Sequence, residues 1–369
     1  MRVAKRIAGW GLGLLVAAVA ALAIALAHNA SPAPAAPLPA TAVRMKAIVY
    51  REYGGPAVLR LEQIAKPTPA ANELLIKVHD AALNPLDFHY MRGSPYIMRM
   101  QIGMGAPKSS RIGVDFSGTV EAIGPGVRSF KVGDAIFGTA NGALAEYVTS
   151  TEVGLALKPD NISFAQAAGV PVAGVTALQG LRAYAHVGPG MKVLVNGASG
   201  GVGTFAVQIA RSLGAEVTAV CSTRNLELVR SLGASRVIDY TREDFTRDSE
   251  RYDVVFDAVN NRALRDYERI LVPKGIVVLV GAGPSIEPWL GPLEGMIKVR
   301  LMTPFLHHPF VSFFADANRT ADLDTLGELM RTGKVVPVVD RTYPLADASA
   351  GMTYLEAGHA RGKVIIAME

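Results

Sequence analysis

The sequence predicts an α/β protein: a strand-rich barrel domain, then a doubly wound parallel-sheet domain, with one apolar helix in front. Three observations carry that prediction. Residues 45–165 alternate short apolar runs with Gly and Pro turns, residues 166–315 alternate strand and helix patterns, and residues 7–27 hold no charge. At about 100–200 residues per domain, a chain of 369 residues has room for two packed cores.

The apolar run IAGWGLGLLVAAVAALAIALA follows Arg2, Lys5 and Arg6. As a helix its 21 residues would rise about 31 Å, close to the thickness of a hydrocarbon core. It therefore reads as a single-pass membrane anchor over 7–27. Two alternatives stay open: Ala25-Leu26-Ala27 also fits a cleaved secretory signal, and a start at Met45 would leave a cytoplasmic body. Residues 31–39 (SPAPAAPLP) cannot continue a helix and predict an extended spacer.

Charge follows the same division. The net charge is +5, but the first 44 residues hold four bases and no acid, leaving 33 bases against 32 acids. A nearly neutral body carries no nucleic-acid footprint. The single cysteine, Cys221, excludes a disulfide scaffold and a Cys-cluster zinc ribbon, and its place at a strand end reads as a small buried hydrophobe.

In the barrel region the predicted strands are 46–50, 73–79, 115–123 and 143–149, with turns at Gly54-Gly55-Pro56 and Gly124-Pro125-Gly126. Beyond residue 165, strands at 192–195, 216–220, 236–238, 253–256 and 276–280 alternate with helices at 202–213 and 226–232. Such alternation predicts a parallel sheet covered by helices on both faces.

The first strand of that region runs into Asn196-Gly197-Ala198-Ser199-Gly200-Gly201-Val202-Gly203 and then an amphipathic helix. Small residues let the backbone turn sharply and approach a pyrophosphate, which sits on the free N–H groups of the helix N-terminus. Strand, turn, helix and second strand agree, so this is read as a dinucleotide site rather than a plain tight turn. NAD would call for a carboxylate at the end of the second strand. The chain instead has Ser222, Thr223 and Arg224, which suit a 2′-phosphate, so NADP(H) is expected; Ser222 and Thr223 also fit an ordinary helix N-cap.

From Met45 to Glu369 the chain resembles the zinc-independent medium-chain dehydrogenase/reductases, in the quinone oxidoreductase or zeta-crystallin-like branch. The resemblance rests on MKAIVYREYGGP, ELLIKVHDAALNPLDFHYMRG, GVDFSGTVEAIGPGV, FKVGDAIFG, VTALQGL, VLVNGASGGVGTFAVQIARSLGAEVTAVCSTRN, VIDY and HARGKVII, in that order. It implies a GroES-like catalytic domain at 45–165, a Rossmann domain at 166–315 and a return to the first domain at 316–369. It also implies NADPH-dependent hydride transfer to a quinone or an α,β-unsaturated carbonyl, and a homodimer. Asn84 resembles the residue facing nicotinamide and substrate, with Tyr96 or its rival Tyr90 as proton donor. Thr176 and Gly281 resemble residues along the nicotinamide. Tyr240 and Arg224 resemble those around the adenosine 2′-phosphate, and Arg361 and Lys363 those reaching the cofactor phosphates. Each has a plain alternative: pocket-wall tyrosines, a strand-end aromatic, solvated charges.

Zinc-dependent cousins carry a cysteine ligand where this chain has Asn84 and Gly-His-Glu where it has Gly113-Val114-Asp115, so no zinc is expected. His307-His308 is the residual metal candidate, read as part of a loop lining the pocket, and Asp87 and Asp115 are read as turn-capping acids. Two other functions remain open: a zinc-free aldehyde or ketone reductase, and a scaffold that binds the cofactor without turnover.

Overall fold

The computed structural model describes residues 17–32, 37–280 and 288–368. In the first lobe, β1 (Arg44–Val49) and β2 (Arg60–Ala65) form an antiparallel hairpin. β3 (Leu74–Leu83), β4 (Asp115–Ile123), β5 (Ala135–Thr139), β6 (Tyr147–Ser150) and β7 (Leu155–Leu157) make the antiparallel sheet beside it. The predicted strand at 143–149 is paired as a strand only from Tyr147. Ahead of it, Ala145 makes a single isolated bridge to Ala47.

The second lobe contains β8 (Lys192–Asn196), β9 (Glu216–Cys221), β10 (Arg236–Asp239), β11 (Tyr252–Asp257), β12 (Leu271–Leu279) and β13 (Phe310–Ser312). All are parallel, in the order β10-β9-β8-β11-β12-β13. Val193, Leu194 and Val195 are buried to the last atom, as a strand covered on both faces must be. The order reverses between β8 and β11, and a sheet of this kind leaves a crevice there, at the carboxyl ends of its strands.

The chain then returns. β14 (Val339–Pro344) and β15 (Lys363–Ala367) are parallel to each other, and β15 lies antiparallel on β3, closing the first sheet. Its register sets Val364 opposite Leu83, while β4 sets Asp115 opposite Ala82. Three strand ends from distant parts of the sequence thus meet beside Asn84. The main apolar core continues across both lobes: Phe137 and Ala156 share one cluster with Val175, Val195, Phe256 and Leu326.

The expected membrane anchor needs correction. Among the described residues the leader is helical over 17–27, about 16 Å at the usual rise, and no helix is long and apolar enough to cross a membrane. Residues 7–16 of the predicted span lie outside the described residues. The end of the run packs against protein instead: Leu26 is buried, and the Ala30 N–H donates to the Gly105 carbonyl at 2.9 Å. An alanine-rich run is weakly hydrophobic, and its last turn finds apolar cover and hydrogen bonds on the barrel.

Phe256 fills the centre of β11 so closely that a Cβ on Gly180 would stand 2.6 Å from its ring. Phe256→Ala is therefore expected to lower the unfolding free energy by about 3–5 kcal/mol, read by urea denaturation.

Candidate cofactor and active site

β8 ends at Asn196, and Gly197 turns the chain with φ +78°, a conformation that disfavours any side chain. Gly200 is the N-cap of the helix Gly201–Ser212 and offers no side chain to its first turn. The N–H groups there have no intrahelical partner and stay available to an anion. Gly203 brings the helix onto the strand end: a Cβ would meet the Gly197 carbonyl oxygen at 2.0 Å. Ala198 is buried, with its N–H on the Val220 carbonyl at 3.1 Å, and Val202 packs on the core. Ser199 accepts a hydrogen bond from Asn225 at 2.9 Å. An uncapped helix start behind a glycine cradle fits a dinucleotide pyrophosphate.

The register Asp239↔Cys221 brings Ser222, Thr223, Arg224 and Tyr240 to one end of the sheet. Asn225 ties this end to the glycine turn, since its amide also donates to Ser222. The Thr223 hydroxyl donates to Asp239 at 2.5 Å, which with Thr241 holds that carboxyl below its usual range. Arg224 donates to the His359 carbonyl at 2.8 Å, which bridges the cofactor lobe to the loop carrying Arg361. Arg361 and Tyr240 are exposed. Cys221 is buried and its thiol is pushed up to about 11 by burial, so it is no nucleophile.

Lys363 does not reach outward. Its stem lies against Gly201 and its ammonium, only 3% exposed, donates to Asn84 Oδ1 at 2.6 Å and stands 3.6 Å from Asp115. Asp115 in turn accepts the Val172 N–H at the start of the helix Pro171–Gln179, where the macrodipole favours a carboxylate. Asp87 accepts the Asn84 N–H at 2.7 Å with one oxygen, and its other oxygen has no partner. Burial pushes Asp87 up to about 7; Asp115 also rises by burial, against the Lys363 charge. Burial lowers Lys363, against the charges of Asp115 and Asp87. Sequence reading singled out Asn84 but missed that Asp87, Asp115 and Lys363 surround it, because only long-range strand register brings them together.

Tyr90, on the helix Pro85–Arg92, is half-buried, and its hydroxyl is raised by burial and then by Asp87. Tyr96 sits on the next loop, with its N–H on the Pro288 carbonyl at 2.6 Å and its ring edge-on to Trp289 at 5.1 Å. It therefore spans the two lobes. The Thr176 hydroxyl donates back to Val172 within its own helix at 2.7 Å, leaving its lone pairs as acceptors. Gly281 lies outside the described residues.

At the position where zinc-dependent cousins carry a cysteine, the Asn84 oxygen accepts from the Lys363 ammonium, and among the described residues no group of three His, Cys, Asp or Glu side chains is placed to hold an ion. His308 faces Glu268 and the Val272 carbonyl, and His307 donates its N–H to Glu268.

Comparison with known proteins follows this geometry. The family model for the alcohol dehydrogenase GroES-like domain matches residues 70–160, and that for zinc-binding dehydrogenases matches 232–366. The chain is 34% identical over 338 residues to the chloroplast envelope quinone oxidoreductase homolog of Arabidopsis thaliana, covering 87% of this chain and 98% of that protein. The chain belongs to the medium-chain dehydrogenase/reductase family. It is also 36% identical over 337 residues to the NADPH-dependent alkenal/one oxidoreductase of the same plant, covering 87% of this chain and 79% of that one. The structure of the quinone oxidoreductase from Coxiella burnetii superposes with a TM-score of 0.75 at 31% identity, covering 89% of this chain and 100% of that one. Members of this family share the GroES-like and Rossmann-like lobes seen here.

Two outcomes are expected. Gly203→Ala forces the helix off the strand end and weakens NADPH binding by about tenfold or more, measured by fluorescence titration. Asp87 titrates near 7 when folded and near 4 when unfolded, so the folded state binds the extra proton in that window and stability falls as pH rises through it. Asp87→Asn keeps the acceptor for Asn84 and flattens that fall, read as unfolding free energy between about pH 4 and 7.

Proposed function

We propose that the protein is an NADPH-dependent oxidoreductase that reduces quinones or α,β-unsaturated carbonyls without a metal. The observation that carries this reading is the bare helix N-terminus at Gly201 lying against Lys363, whose ammonium is bound to Asn84. The names of the Arabidopsis relatives, a quinone oxidoreductase homolog and an NADPH-dependent alkenal/one oxidoreductase, support the same cofactor and acceptors.

The first turn of the Gly201–Ser212 helix would hold the pyrophosphate, while Ser222, Arg224, Tyr240 and Arg361 would hold the 2′-phosphate. NADPH bound there would supply a hydride. Lys363 fixes the Asn84 oxygen and the Ala82 carbonyl accepts from its amide nitrogen at 3.4 Å, so Asn84 would set the wall against which the acceptor carbonyl lies. On an enone that hydride would be destined for the β-carbon, and Tyr96 or Tyr90 would give the proton that completes the α-carbon. Positioning and a dry, preorganised donor supply most of the acceleration. The division into a catalytic lobe at 45–165, a cofactor lobe at 166–315 and a return at 316–369 belongs to this reading, supported by β15 closing the first sheet. So does a homodimer through β13, the edge strand of its sheet.

The test is NADPH oxidation with a panel of quinones and alkyl enones. Turnover with at least one acceptor is expected, and tight NADPH binding with no turnover on any of them refutes the reading. Asn84→Ala should lower kcat by about 100-fold with NADPH affinity nearly unchanged, a result that separates acceptor positioning from cofactor binding.

A further inference from the structure

Arg99 is 2% exposed, yet every partner it has is neutral. Its Nη1 donates to the Leu26 carbonyl at 2.8 Å, the His28 carbonyl at 3.2 Å and Asn29 Oδ1 at 2.9 Å, all in the leader. Its Nε donates to the Gly93 carbonyl at 2.8 Å, and Nη2 points to the Arg92 carbonyl at 3.4 Å. The flat faces lie over the rings of Tyr53, 4.4 Å away, and Tyr96, 4.5 Å away.

A buried guanidinium needs a negative complement. Here it is the carboxyl end of the 17–27 helix, where free carbonyls and the macrodipole concentrate partial negative charge. Releasing the leader strands the cation between two rings, and hydration would pull it out of the stack. Tyr96 would then lose one of its two ring contacts, the other being Trp289 from across the lobes.

We propose that Arg99 is a positioning residue that latches residues 17–30 onto the substrate wall, so that docking of the leader sets the placement of Tyr96. The latch rests on the reading of Tyr96 as part of that wall. It makes acceptor affinity, but not cofactor affinity, depend on a segment outside both lobes.

The test uses the full chain. Leu26→Lys puts a like charge into the buried end of the leader, and Arg99→Gln removes the cation from the other side. Steady-state kinetics with NADPH and a short alkyl enone are expected to show kcat/KM for the enone lowered about three- to tenfold in each, with NADPH Kd within twofold. Leu26→Lys added to Arg99→Gln should do no further harm, since both break one linkage. In a Trp10→Phe background Trp289 is the only tryptophan, and Leu26→Lys should raise its quenching by acrylamide.

Unchanged kcat/KM and unchanged Trp289 quenching in Leu26→Lys, or additive effects in the double variant, overturn the proposal. Should the wild-type protein turn over no enone, Trp289 quenching alone still decides the latch, so the two failures separate. Should Arg99→Gln fail to fold, Leu26→Lys and Asn29→Ala decide it from the leader side.

Discussion

A lysine ammonium buried between an amide and a carboxylate holds the site together. Lys363 opens the last strand, Asn84 closes β3, and Asp115 opens β4, so the contact exists only when the C-terminal strands have returned to the first sheet. At an effective dielectric near 20 such a pair attracts by about 4 kcal/mol at 4 Å, while each buried ion loses several kcal/mol of hydration. The cluster is therefore no net source of stability. What it does is specify one arrangement: slipping β15 by one residue would turn Lys363 to the other face and leave Asp115 buried without its counter-ion.

The same contact joins the two halves of the chemistry. Asp115 reaches from the barrel to the N-terminus of the Pro171–Gln179 helix, and the Lys363 stem lies against Gly201 at the start of the cofactor helix. Barrel, interlobe helix and glycine turn are thus referenced to one ammonium. With a continuous apolar core beneath them, the lobes are packed together at the crevice rather than joined only by a linker.

Local features were legible in the chain. The glycine turn, the parallel alternation after residue 165 and the lack of an acid at the end of β9 are short-range patterns whose physics acts within a few residues. Register was not legible. Asp87 and Asp115 looked like turn caps; Asp87 does bond the N-cap of its own helix, but Asp115 accepts from a helix far along the chain, and their shared burial with Lys363 depends on pairing between distant segments. Thr223 illustrates a subtler limit: its hydroxyl suits a phosphate, yet the neighbouring strand supplies Asp239, a stronger local acceptor. The leader misled for a third reason, since hydropathy registers length and polarity but not the buried guanidinium waiting for a helix end.

The charge state of the knot bears on how the site handles an enolate. Two carboxylates face one ammonium, and burial keeps a proton on Asp87 up to about neutral pH. The ammonium lies on the Asn84 side of the cluster, 2.6 Å from the amide oxygen. Through that hydrogen bond the cation polarises the amide, whose nitrogen turns to the Ala82 carbonyl at 3.4 Å. A cation in direct contact with the crevice would bind any anion, cofactor phosphates included, whereas this one is only 3% exposed. In the proposed reaction that burial would let the site respond to charge developing on the acceptor and not to anions at large.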